Sequence, residues 1–212
     1  MIITRTIAGQ PLLVECDSGL ESAAHDVLRM FADLANSGKP MRDGLRIRFG
    51  WSLLTLRSDQ AGLRVCEPLF TRDPEHALNP DLDTTLGVLV AQVEWLRRLQ
   101  EQGSDVAFDQ QIVVAGDALT ASDIFALREE PKSDLDSGWS VAPVPADSRD
   151  IDMSALCAVP VARLVEARPG LLPILTLPAG YLVRLRQNDV IEIEAPDGRA
   201  GWQAPRSSDT QQ

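Results

Sequence analysis

The chain has 212 residues, 44% hydrophobic and 24% charged, a balance that supports a folded protein with its own core and excludes a disordered chain. Its 31 acidic residues against 20 basic ones leave a formal charge of -11, which disfavours nucleic acid and anionic membranes as partners and would steer in a basic one. The excess is uneven: residues 1–104 carry 11 Lys plus Arg and 14 Asp plus Glu, residues 105–212 carry 9 and 17, so the footprint of a cationic partner is expected in the second half.

Residues 2–7 and 11–16 are short apolar or β-branched runs around Gly9-Gln10-Pro11, predicting two strands and a turn. From Leu20 the period changes. Leu20, Ala23, Ala24, Val27, Leu28, Phe31, Leu34 and Ala35 form one helix stripe, ended by Asn36-Ser37-Gly38 and Pro40. His25 lies off that stripe and reads as a surface or boundary residue. Residues 45–57 alternate, with Ile47, Phe49 and Trp51 on one side, predicting a half-buried strand with Trp51 in the core. A turn over 58–62 leads to a partner strand over 63–67, stopped by Pro68.

Residues 70–83 form a loop rich in Asp, Asn and Pro that contains His76, and no ligand spacing there anchors a metal. A second helix has its stripe at Leu86, Leu89, Val90, Val93, Leu96 and Leu99, with Arg97 and Arg98 complementing the dipole at its end. The polar, Gly-containing segment 100–105 is the best candidate for a domain boundary. Beyond it, strands are expected over 111–115 and 124–127, an extended segment over 141–145, an acidic loop over 147–152, and a strand or tight turn running to Val159. Pro160 opens a short helix, and a hairpin over 181–186 and 190–195 follows. The tail from 201 is expected to be disordered apart from a docked Trp202.

Cys16, Cys66 and Cys157 are widely separated in apolar or strand-like sequence and read as reduced core or near-core thiols. The N-terminus lacks the pattern of a signal peptide, and no apolar run is long enough to cross a bilayer, so a cytoplasmic protein is expected. Neither a phosphate-binding glycine loop nor a nucleophile elbow is present, so no cofactor and no catalytic residue are predicted.

Residues 127–139 concentrate the candidate site. Arg128, Glu129, Glu130, Lys132, Asp134 and Asp136 lie close together, followed by Ser137-Gly138 and the indole of Trp139. On an extended segment Glu129 and Glu130 point to opposite faces, so one can enter a pocket but the two cannot form a carboxylate pair. Arg128 has two readings, an ion pair with Glu129 that fixes the loop or a bidentate grip on a partner's carboxylate. Trp139 reads as a core anchor or as a partly exposed contact residue. Asp134, Asp136, Asp147, Asp150 and Asp152 as a set suit either a basic partner or simple solubility.

The run Leu127-Arg128-Glu129-Glu130-Pro131 followed by Asp136-Ser137-Gly138-Trp139 resembles the central signature of a bacterial immunity-protein family, the thirty-third class in the polymorphic-toxin catalogue, earlier filed as a domain of unknown function. The resemblance covers residues 111–186, from Ile112-Val113-Val114, through Ala158-Val159-Pro160 and Arg168-Pro169-Gly170-Leu171-Leu172-Pro173-Ile174-Leu175, to Pro178-Ala179-Gly180-Tyr181. It implies an α+β domain that protects the producing cell by binding a cognate toxin, and it brings no catalytic residues. By position, Arg128, Glu129, Glu130, Asp136, Gly138 and Trp139 match the signature, and Asp134 lies between its two parts.

The resulting expectation is an α+β fold with antiparallel or mixed sheets and a few packed helices, in two closely associated units. Residues 1–104 form an unassigned domain, 105–200 the immunity-like domain and 201–212 a tail. The expected function is stoichiometric binding and neutralisation of a toxin or secreted effector, with Arg128 and Trp139 in or beneath the contact surface. The competing readings are an enzyme or small-ligand domain using Glu129 or Glu130, and an adaptor in a secretion or signalling assembly.

Overall fold

The structure is a computed structural model that describes residues 1–144 and 156–205. The chain divides into two compact units, Met1–Glu94 and Trp95–Gln212. Among the described residues each unit holds one mixed sheet, of six strands in the first and seven in the second, so the fold is α+β.

In the first unit, β1 (Ile2–Ile7) and β2 (Gln10–Glu15) form the expected hairpin, closed through Ala8 and Gly9, both at positive φ. Helix α1 (Glu21–Asn36) follows, with Ala24, Val27, Leu28 and Phe31 buried as the stripe predicts. His25 is exposed. The single strand expected over 45–57 is instead two, β3 (Arg46–Phe49) and β4 (Ser52–Asp59), paired antiparallel around Gly50 and Trp51. The reason lies at Gly50: its φ is +56°, and a Cβ there would run into the Leu89 side chain. Only glycine takes that turn easily, and it breaks the alternation on which a continuous strand depended.

Strand β5 (Gly62–Pro68) pairs antiparallel with β4 and parallel with β2, giving the order β1-β2-β5-β4-β3, with the short β6 (Leu78–Asn79) beside β5. Trp51 is buried, stacks on Phe70 at 4.6 Å, and donates from Nε1 to Thr85 O at 3.3 Å.

Helix α2 (Asp83–Leu99) is held at its first turn by Glu67, whose Oε2 accepts from Thr85 N at 2.7 Å. Burial pushes the Glu67 carboxyl above its usual range. The expected α2 stripe is corrected: Thr85, Leu86 and Gln92 are the buried residues, while Val90 and Val93 are 47% and 63% exposed. The buried polar pair takes the inner positions because the Thr85 hydroxyl donates to Ser52 Oγ at 2.8 Å.

The second unit's sheet runs β10-β7-β9-β8-β11-β12-β13, formed by β7 (Gln111–Ala115), β8 (Asp123–Arg128), β9 (Asp136–Pro143), β10 (Leu156–Pro160), β11 (Leu182–Arg186), β12 (Asp189–Glu194) and β13 (Ala200–Gln203). β7 and β9 are parallel and the other neighbours antiparallel. Between β10 and β11, Pro160 leads into a 3-10 turn (Val161–Arg163), a short helix α3 (Leu164–Ala167) and a 3-10 segment (Pro169–Ile174) that carries Leu171, Leu172 and Ile174 into the core.

The β11–β12 hairpin matches the expected one. Ala200–Gln203 forms a strand where a tail was expected, and Trp202 packs edge-on against Trp95 at 5.0 Å. Cys16 and Cys66 are buried, but Cys157 is exposed, on a strand that among the described residues stands at the edge of the sheet. The acidic positions Asp147, Asp150 and Asp152 and the tail from 206 lie outside the described residues.

Candidate functional site

The turn over residues 129–135 joins β8 to β9, and its geometry follows from the two strand ends. Arg128 and Trp139 are register partners across β8 and β9. Paired residues share one face of a sheet, and both turn inward. They are 2% and 1% exposed, with the Arg128 Cζ 5.9 Å from the centre of the indole.

The Arg128 guanidinium donates from Nη1 to Leu175 O at 2.8 Å, to Leu177 O, and to Ser104 O at 3.2 Å, and from Nη2 to Ser104 Oγ at 3.2 Å. Trp139 Nε1 donates to Leu175 O at 2.9 Å. Both side chains therefore satisfy carbonyls just after the 3-10 segment, and Arg128 also that of Ser104. Those carbonyls lack strand or α-helix partners, which is why a buried Arg is tolerated there. The ion pair expected between Arg128 and Glu129 gives way to these carbonyl bonds. Burial pulls the guanidinium below its usual pKa.

Asp136 organises the turn, accepting Lys132 N at Oδ2 (2.9 Å) and Gly138 N at Oδ1 (2.8 Å). These backbone N–H groups, first that of Lys132 and then that of Gly138, hold its carboxyl below the usual carboxylate range. Gly138 has φ +76°, and a Cβ there would collide with the Glu129 carbonyl oxygen. That close approach lets Glu129 N donate to Gly138 O at 2.8 Å. Ser137 Oγ donates to Gln111 O at 2.7 Å, and Gln110 Nε2 donates to Asp134 O at 3.0 Å, tying the turn to the start of β7.

The candidate residues thus separate into two groups. Arg128, Asp136, Gly138 and Trp139 hold the turn and its strands, while Glu129, Glu130 and Asp134, with Lys132 between them, are exposed. Glu129 and Glu130 border a recess of only about 50 Å³, far below the size of a small-molecule site.

Across the sheet from Arg128 and Trp139 lies a larger feature. Leu127 and Ser140 are register partners on the opposite face, as are Phe125 and Ala142. With Val113, Leu156 and Leu182 they line a predominantly apolar groove of about 560 Å³, and Glu129 and Lys132 stand at its border. Leu127 and Leu156 are 38% and 42% exposed. At one side the groove ends in charge: Asp123 meets Arg186 at 3.1 Å and Arg184 at 3.5 Å, and Arg184 lies over the Phe125 ring.

Beyond Leu127, Glu129 and Lys132, this face is absent from the candidate site read in the sequence. A signal for it was present: β7 and β8 read Gln-Ile-Val-Val-Ala and Asp-Ile-Phe-Ala-Leu-Arg, apolar at successive positions. In a strand that pattern places apolar side chains on both faces.

A mixed sheet with one face packed on the core and the other carrying an open apolar groove makes the second unit an α+β module. Residues 91–195 match the Imm33-like domain family. The chain therefore carries an Imm33-like domain, and the match extends beyond residues 111–186 at both ends. It supports an immunity-protein role and fits a non-enzymatic protein. No curated protein and no solved structure gives a significant match to the chain.

Proposed function

We propose that this protein is the immunity partner of a bacterial toxin or secreted effector, which it binds stoichiometrically in the cytoplasm of the producing cell. The family match supports the immunity role. The observation that carries the mode of action is the open apolar groove on the second unit's sheet, bordered by Glu129 and Lys132. An apolar centre with a charged border is the usual anatomy of a protein-binding surface.

In this reading Glu129, Glu130 and Asp134 belong to the border of the contact, and Arg128 and Trp139 lie beneath it, holding β8 and β9 in register. The acidic second half, with 17 Asp plus Glu against 9 Lys plus Arg, steers in a basic partner. Two exposed valines on α2, Val90 and Val93, are the apolar residues an adaptor would use.

The test is co-expression with each product of the adjacent reading frames, with survival and complex formation as readouts. One neighbour is expected to be toxic alone, harmless with this protein, and to co-elute with it as a complex of fixed stoichiometry. Undiminished toxicity beside abundant folded protein, for every neighbour, overturns the reading.

A further inference from the structure

We infer that the toxin docks by adding a β-strand to the free edge of β10, with its alternate apolar side chains continuing over the groove; this rests on the immunity reading above. Three observations converge on that edge.

First, among the described residues β10 ends the sheet and pairs with β7 alone. Val161 N donates to Gln110 O at 2.9 Å, and the same antiparallel register runs on through Val159 opposite Ile112 and Cys157 opposite Val114. Main-chain groups in an antiparallel ladder face the neighbour at every second residue. Those of Cys157 and Val159 therefore turn to β7, and those of Leu156 and Ala158 turn outward.

Second, the edge lacks the usual protection. Its sequence is Leu-Cys-Ala-Val-Pro, with no charged residue, and every position except Val159 is exposed. Edge strands that must stay unpaired are generally blunted by lysine, by inward charges or by a mid-strand proline. Here Pro160 stands only at the end, where its missing N–H would have faced outward.

Third, edge and groove form one surface. Leu156 lines the groove and is the register partner of Ala115, and Ala158 is the partner of Val113, so both project on the groove side. An added strand would hydrogen-bond to Leu156 and Ala158 and set alternate side chains beside them.

The occupant is a basic protein rather than a second copy of this chain. Two copies would each bring a charge of -11, with the larger share in the half that contains β10, and would repel. A basic partner is attracted by the same field, and its apolar strand positions match the groove.

The experiment uses the full chain and the neighbouring product identified above. In Ala158→Pro the outward N–H is lost while the bonds of Cys157 and Val159 to β7 are kept, so thermal unfolding should be near wild type and affinity reduced by about tenfold or more. Leu156→Lys places a cation at the exposed edge without touching the ladder, and it should slow association with a basic toxin and weaken binding by a similar factor. In wild type, amide exchange at Ala158 should slow by about tenfold or more on complex formation.

Unchanged affinity in both folded variants, or an unprotected Ala158 amide in an intact complex, overturns strand addition while leaving the immunity reading standing. Absence of any complex with wild type overturns the immunity reading itself. A homodimer of the isolated protein that Ala158→Pro dissociates shows the second copy to be the occupant and overturns the heterologous assignment.

Discussion

The two faces of the second unit's sheet are built from alternate residues of the same strands, yet they are held to opposite ends. In β8, Arg128 turns inward to the carbonyls of Ser104, Leu175 and Leu177, and its neighbour Leu127 turns outward into the groove. In β9, Trp139 turns inward and Ser140 outward. The inner face is apolar at Ile112, Val114, Ile124, Ala126, Val141 and Val183, and it admits the buried Arg128 because the carbonyls of Ser104, Leu175 and Leu177 accept from its guanidinium. The outer face is apolar where water is the norm, and among the described residues its groove stands open. A residue's role in this domain therefore follows from its parity along the strand more than from its place in the signature motif.

The comparison is broken hardest at Gly138. A side chain there meets the Glu129 carbonyl and strains a φ of +76°, so Gly138→Val should destabilise the second unit by about 4 kcal/mol in denaturant melts. Arg128→Ala leaves buried carbonyls without donors and opens a cavity, an expected loss of about 3 kcal/mol by the same measurement. Trp139→Phe keeps most of the packing and removes the bond to Leu175 O, so about 1 kcal/mol should be lost. Wild-type stability after any of these three would show that the inner face does not hold the domain.

Asp136 sits at the join of the two faces and reports through pH. Its folded carboxyl titrates below the usual value, so its contribution is present above an unfolded pKa of about 4 and is lost as pH falls through the lower folded value. Asp136→Asn should flatten that acid limb of the stability curve, and an unchanged limb would assign it to other carboxylates. The smallest stability effect belongs to the outer face: Leu127→Ser should alter unfolding by no more than about 0.5 kcal/mol while weakening toxin binding severalfold. A large stability loss there would mean that the groove is covered in solution.

Much of the local structure was legible in the chain. The α1 stripe, the opening and closing hairpins, the Pro160 helix start and Trp51 in the core all follow from periodicity and turn chemistry, which act over a few residues. The failures share a cause. Gly50 divides a pattern of unbroken alternation, and the neighbour that its Cβ would strike, Leu89, comes from α2. Val90 and Val93 face solvent while Thr85 and Gln92 are buried, Thr85 through a bond to Ser52 that periodicity does not register. Cys157 is exposed on a strand that among the described residues stands at the edge of the sheet, and edge position is a property of strand order.

By itself the sequence determined that the chain folds, that it mixes helices with strands, that its second half is acidic, and that the signature between Arg128 and Trp139 marks an immunity-like domain. Those properties reside in composition, short-range period and motif spacing. Only the tertiary structure decided that Arg128 and Trp139 turn inward to the chain's own carbonyls, that Leu127, Phe125 and Leu156 line an open groove, and that β10 stands at the edge. Strand parity relative to a core, and position within a sheet, depend on which distant segments pair, and the sequence order β7, β8, β9, β10 becomes β10, β7, β9, β8 in space.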